Sequence, residues 1–358
     1  MKGLPQSVES STGSLSETVW MGWNLSAPAV LFLSVFHSPR RVVAQTNLLG
    51  SVPGERAPRN AGAPSAGVRV FPKVAGVTHR FVETPRLRFH VAEAGAGEPV
   101  LLLHGWPQHW WAWRKVIPLL ASEQRIIVPD LRGFGWSDAP SAGYSTEELV
   151  DDIVGLLDAL GLDEVLVIGH DVGGRLGFHL ALREPNRVRR LVTLNALHPY
   201  WSFSRLAPQA WRFWWTVFVE TALVGRWVMR RVPAFTRMLF SLGAADRAAL
   251  SPAEVAEFVA SAREPARARA SEHLMYRFAY HEIIPTLLGR NRGLRLSVAT
   301  LMLTRDVQLS RRSLGGYQRY ADELSVELVA GGGHFLPEER PELVVASARA
   351  FFQRGAGR

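Results

Sequence analysis

Residues 165–174 read VLVIGHDVGG: an apolar run of strand length enters Gly169-His170-Asp171-Val172-Gly173 and leaves in a helical pattern. The spacing, small residues on either side of a central acid, is that of a strained strand–turn–helix elbow, which lifts the central side chain to the carboxyl edge of a sheet. Glycines flank it because the turn brings the backbone and the following helix too close for a Cβ. Asp171 at the centre gives different chemistry from a serine elbow. A hydroxyl must lose a proton before it attacks, whereas a carboxylate with an ordinary pKa of about 3.9 is ionised at neutral pH. It suits displacement at an sp³ carbon and leaves an alkyl ester on Asp171, which an activated water must then hydrolyse. The rival reading is an aspartate that caps a helix N-terminus and does no chemistry.

Three further stretches bear on that choice. His104-Gly105-Trp106-Pro107 follows an apolar strand, and an HG-x-P turn there aims the Trp106 N–H at an oxyanion, with the Val172 N–H as second donor. A cis Trp106–Pro107 peptide would suit the tight turn. Gly331-Gly332-Gly333-His334-Phe335 puts an imidazole on a glycine loop after a strand, and Asp306 follows the preceding strand. Asp306 is expected to orient His334 through its second ring nitrogen. Nucleophile, acid and base then fall in the chain order Asp171, Asp306, His334. Each stretch is weak alone, since a histidine in a glycine loop is structural or exposed more often than catalytic; jointly they favour the covalent mechanism.

The surrounding pattern supplies a scaffold. From residue 78, β-branched or apolar runs alternate with amphipathic ones. They predict a hairpin (78–83, 88–93), strands at 100–103, 125–128, 165–168 and 188–194, and helices at 111–120, 146–160 and 173–183. Residues 198–294 show no strand pattern and are expected to be helical throughout. Alternation resumes with strands at 299–303 and 325–329 and a last helix at 341–352. The expected fold class is α/β: a mostly parallel sheet flanked by helices, with a core of residues 76–197 and 295–358 interrupted by a helical cap, 198–294.

Residues 1–75 differ in character. Ser-rich and Pro/Gly/Ala/Arg-rich stretches bury too little apolar surface to repay ordering and read as a poorly ordered extension. Its one apolar run, 19–36, is shorter than the roughly 20 apolar residues of a membrane span and is interrupted by Asn24, Ser26 and Pro28. No export signal is recognisable, so a cytoplasmic location is expected; membrane association through 19–36, and a start codon set too far upstream, stay open as alternatives. The chain of 358 residues has no cysteine, which excludes disulfides, a thiolate nucleophile and Cys-ligated metal.

At this point the sequence resembles the epoxide hydrolase and haloalkane dehalogenase branch of the α/β-hydrolase fold, on HGWPQHWWAWR (104–114), DLRGFGWSD (130–138), GHDVGGR (169–175), Asn195 with His198-Pro199, and GGGHF (331–335). The resemblance implies a covalent ester intermediate and no cofactor or metal. It makes Asp171 the nucleophile, His334 the base for water, Asp306 its partner, and Trp106 and Val172 the oxyanion donors. A tryptophan directly after the nucleophile, typical of haloalkane dehalogenases, is replaced by Val172. The arginine pair of the haloacetate type is reduced to Arg175, so a dehalogenase is disfavoured against an epoxide hydrolase. Epoxide opening leaves an alkoxide that lid tyrosines assist. Tyr276, in HLMYR, looks like the family's second lid tyrosine. Residues 211–218 lack the first; Trp215, Trp214 or Phe218 stands there, and Tyr200 and Tyr280 are fallback donors. The expected substrate is small and hydrophobic. A ligand-binding protein without catalysis is the alternative of another class.

Lys+Arg 41 against Asp+Glu 32 gives a net charge of +9, which invites a nucleic-acid partner. The distribution argues against one. Residues 76–194 carry 12 basic and 15 acidic groups and residues 296–358 carry 8 and 7, so the core is near neutral. The excess sits in residues 1–75 (7 and 3) and in residues 195–295 (14 and 7).

Overall fold

The computed structural model describes residues 69–202, 204, 207–304 and 315–354. The apolar run 19–36 and Asp306 therefore lie outside the described residues. Eight strands form one sheet: β1 (Thr78–Glu83), β2 (Arg88–Ala94), β3 (Glu98–Leu103), β4 (Gln124–Pro129), β5 (Val165–His170), β6 (Val188–Leu194), β7 (Thr300–Thr304) and β8 (Leu324–Leu328), in the order β1-β2-β4-β3-β5-β6-β7-β8. The pairings of β1 with β2 and of β2 with β4 are antiparallel and the other five are parallel.

Every residue of β5 is buried, as a central parallel strand covered on both faces requires. The period of two divides the apolar residues between two layers. Leu101, Leu103, Ile127 and Val167 pack with α1 (Thr146–Ala159) and α2 (Val172–Arg183), while Leu102, Ile126, Val128 and Ile168 pack with Trp110, Trp113, Phe351 and Phe352. Truncating any of these buried aliphatics to alanine is worth about 2–5 kcal/mol. α1 starts where the sequence marks a capping box: Ser145 accepts from the Glu148 N–H while Glu148 reaches back.

Register sets the working edge. Leu103 pairs with Gly169 and His170 with Leu194, so β3, β5 and β6 end nearly in step and deliver Gly105, Asp171 and Asn195 to one rim.

Two sequence expectations are revised. The helix at 111–120 is a 3-10 turn, Trp110–Trp113, followed by the short helix Ile117–Leu120. Burying Trp110 and Trp113, both 0% exposed, dictates that turn. Residues 69–75 belong to the body and not to the extension: Arg69 pairs with Glu264 at 2.7 Å, its carbonyl accepts from the Trp136 indole, and Phe71 stacks on His79.

Between β6 and β7 the described residues are helical and contain no strand. A kinked 3-10 stretch (Ala207–Thr216) and the turn Val217–Glu220 lead into α3 (Val224–Arg231), α4 (Pro233–Gly243), α5 (Pro252–Ala262) and α6 (Pro265–Arg277), then a π-helical segment, Phe278–Ile283. Prolines open α4, α5 and α6, where a missing N–H costs nothing. The core grips this cap through Arg114, which bridges Glu254 of α5 and Glu338 at 2.5 Å each. The last helix is α7 (Pro341–Gln353). No helix among the described residues is long and apolar enough to cross a membrane.

Candidate active site

Asp171 sits at φ 49°, ψ −113°, outside the ordinary regions for an L-residue. Such a conformation costs on the order of 1–3 kcal/mol and persists because its surroundings hold it. Its N–H donates to the Leu194 carbonyl at 3.0 Å and its own carbonyl accepts from the Arg175 N–H. A Cβ at Gly173 would run into the Leu103 carbonyl oxygen, and one at Gly174 into the Ala196 methyl. The side chain makes no capping bond to α2, so the N-cap alternative finds no support in the geometry.

The Trp106 N–H instead donates to Asp171 Oδ2 at 3.0 Å, across a cis Trp106–Pro107 peptide. That approach requires glycine at position 105, because a Cβ there would lie 2.8 Å from Asp171 Cβ and 2.8 Å from His170 Nδ1. Val172 is the first residue of α2, where a backbone N–H has no partner within the helix. Of the two expected oxyanion donors, the Trp106 N–H bonds the carboxylate, and the Val172 N–H follows Asp171 directly in the chain.

His334 lies on the loop after β8 and faces the same cavity as Asp171. The backbone of this loop is pinned from three sides. Asn195, at φ 47° directly after β6, donates from Nδ2 to the carbonyls of Gly333 (2.9 Å) and His334 (2.8 Å), and its Oδ1 accepts from the Thr304 hydroxyl. His170 Nε2 donates to the His334 carbonyl at 2.8 Å. Burial, and next the charge of His334, hold the His170 pKa well below its ordinary value, so this ring stays neutral. On the cap side the His334 N–H donates to the Gly243 carbonyl at 2.7 Å. Glu339, buried, accepts four backbone N–H groups, from Gly333 and Phe335 on the loop and from Ala245 and Asp246 on the cap.

The cavity in front of Asp171 is about 180 Å³. Asp171, Trp106 and His334 form its floor; Phe213, Trp215 and Met275 contribute cap walls. Trp215 stacks flat over Trp106, with ring centroids 5.9 Å apart and 2° between planes. Arg175 also reaches the wall; it is buried, donates to the Thr146 hydroxyl at 2.5 Å and lies over the Phe278 ring.

The lid tyrosines are placed differently from the sequence expectation. Tyr276 is 42% exposed, pairs with the Tyr280 ring at 4.9 Å and does not line the cavity. Its neighbours Met275 and Phe278 do. Tyr200 is buried elsewhere, with its hydroxyl on the Tyr320 carbonyl, and Trp214 and Phe218 point outward. Asp306 lies outside the described residues. Asn195, quoted in the sequence only for the resemblance, acts as a backbone clamp, and Glu339, a cap latch, went unnoticed there. The HFLPEERP segment offered a signal for Glu339, a carboxylate between two prolines just beyond the imidazole. Among the described residues no cluster of side chains is arranged to hold a metal ion.

Sheet order, elbow and histidine loop define an α/β hydrolase. The profile of the alpha/beta hydrolase fold family matches residues 98–341, and the chain belongs to that family. A soluble epoxide hydrolase of Corynebacterium sp. (strain C12) is 43% identical over 121 residues, 34% of this chain and 42% of that protein. Epoxide hydrolase 4 of Mus musculus is 34% identical over 181 residues, 48% of this chain and 50% of that protein. The chain thus spans half or less of the length of these curated relatives. Among solved structures, Cfl2 from Burkholderia cenocepacia superposes with a TM-score of 0.71 at 30% identity over 80% of this chain and 99% of that one. The epoxide hydrolase CorEH does so with 0.69 at 28%, over 78% and 99%.

Proposed function

We propose that this chain is an epoxide hydrolase that opens a hydrophobic epoxide to a vicinal diol through an ester on Asp171. The observation that carries the proposal is an ionisable carboxylate, not a hydroxyl, at the elbow, with Oδ2 already engaged by the Trp106 N–H and an apolar cavity in front of it. Oδ1 attacks an epoxide carbon; the C–O bond breaks with its electron pair on oxygen. That oxygen takes a proton from water while the Trp215 indole N–H hydrogen-bonds it, since an indole donates but does not give up its proton. His334, oriented by Asp306, then removes a proton from a second water, which attacks the Asp171 carboxyl carbon. Charge gathers on Oδ2, where Trp106 and Val172 N–H groups receive it. Collapse returns the proton from His334 to the departing oxygen, releases the diol and leaves one solvent oxygen in Asp171; the hydroxide left by the first water takes the proton of the new Asp171 carboxyl and restores the carboxylate. The relatives named epoxide hydrolases support the choice of leaving group.

A second reading, displacement of halide from a small anionic substrate with the same nucleophile, is favoured only by Arg175 in the cavity wall. Incubation with an aryl epoxide and with haloalkanes and haloacetates in ¹⁸O water separates the two. Diol without halide, label in Asp171 after a single turnover, and an alkyl-enzyme trapped in His334→Gln are expected. Halide release would select the second reading, and unlabelled Asp171 would remove the covalent step.

A further inference from the structure

The segment that walls the cavity has an outer side with no use in the chemistry. Along residues 211–218, Phe213, Trp215 and Thr216 turn inward to the cavity, while Trp211 (70% exposed), Trp214, Val217 and Phe218 face outward at three- and four-residue spacing. The outward stripe continues on α3. Gly225, Val228 and Met229 are buried, and Leu223, Val224, Trp227, Arg230 and Arg231 are exposed. Leu223, Arg226, Trp227, Arg230 and Arg231 together border one surface depression. Both Val217–Glu220 and α3 pack their inner sides on α6, so their outer sides face away from it together.

Monomer surfaces rarely gather this many large apolar side chains in one place without a partner. The composition selects the partner. Tryptophans interleaved with arginines match the water–bilayer boundary, where an indole is half buried and a guanidinium meets lipid phosphate. A second copy is disfavoured by charge, because residues 195–295 hold 14 basic against 7 acidic groups and two such caps repel.

We propose that the outer face of the cap, Trp211 to Arg231, docks on an anionic lipid surface, which brings the cap wall of the cavity to the bilayer boundary. The docking does not depend on which bond Asp171 breaks.

The test uses the full chain with vesicles of phosphatidylcholine alone and with added phosphatidylserine, read by co-sedimentation and by tryptophan emission. Wild type is expected to bind the anionic vesicles, to shift its emission to the blue, and to release as salt rises. Arg230→Gln with Arg231→Gln should weaken binding about 30-fold, at roughly 1 kcal/mol per cation near the surface. Trp214→Ser with Trp227→Ser should weaken binding and reduce the blue shift, with Trp211 the remaining tryptophan on the face. Both doubles should keep the wild-type circular dichroism spectrum and thermal unfolding midpoint, which shows that they fold. No wild-type binding overturns the proposal. So does binding that both doubles retain, which would place attachment elsewhere, such as residues 19–36. A concentration-dependent dimer lost in the tryptophan double would also overturn it and assign the face to a second copy.

Discussion

Gly105→Ala should separate the two chemical steps. The added methyl meets Asp171 Cβ and His170 Nδ1 at 2.8 Å and Asp171 Oδ2 at 3.1 Å. These are side-chain atoms, and at 2.8 Å Asp171 or His170 must shift to admit the methyl. At Gly173 the obstacle is instead the Leu103 backbone carbonyl, and substitution there should prevent folding. The tolerable clash costs about 1–3 kcal/mol of stability and pushes Oδ2 off the Trp106 N–H, now 3.0 Å away. During ester formation Oδ2 loses charge, so losing a donor has little effect on that step. During ester hydrolysis charge returns to Oδ2, and losing one oxyanion donor costs about 10²–10³-fold. Rapid mixing with an aryl epoxide, followed by intact-mass analysis, should show ester formation within about tenfold of wild type and an accumulating alkyl-enzyme, as donor loss slows hydrolysis selectively. Equal slowing of both steps, or normal hydrolysis in a folded variant, would refute the role given to the Trp106 N–H.

Asn195→Ala removes one of the clamps on the His334 backbone and is expected to lower kcat by about tenfold with little change in KM, since a base displaced by a fraction of an ångström loses much of its advantage. Tyr276→Phe should leave turnover within about twofold because the ring lies outside the cavity, whereas Trp215→Phe should slow ester formation; steady-state and single-turnover rates check both. Glu339→Gln should cost about 3 kcal/mol or more in urea unfolding, because a buried carboxylate that accepts four N–H groups is replaced by one acceptor oxygen. Acid should destabilise the fold: burial lowers the pKa of His109 and His170 well below 6.5 and that of His179 to about 4, so near pH 5 the unfolded chain binds protons on these rings that the folded chain does not. Burial raises Glu338 to about 7 against the pull of Arg114, and this one proton is held by the folded state instead. Stability should therefore fall as pH drops below 6.5, and fall more steeply in Glu338→Gln, where the opposing proton is gone; denaturant titration at each pH measures both.

The strands were legible because each is an apolar run closed by a turn residue, and 78–83 and 188–194 match the structure to the residue. The elbow was legible because its glycines answer a steric demand that few other residues can meet. The cap side of the site was not. The end of α6 and its C-cap carry Met275, Tyr276 and Phe278 within four positions, and an apolar periodicity that marks both faces leaves the rotation of the helix undetermined. The π-helical segment Phe278–Ile283 shifts the phase again just beyond it. Asn195 and Glu339 act through main-chain groups, which no pattern of side chains in the sequence displays.

The Glu339 carboxylate and the His334 N–H bind the same turn at the end of α4, on opposite sides of the insertion boundary. Substrate entry by cap displacement would therefore tug directly on His334. For protein engineering, the cap is not a cassette. A cap transplanted from another hydrolase must bring acceptor and donors matching Gly243, Ala245 and Asp246, or the chimera will bind substrate beside a histidine that is no longer in register.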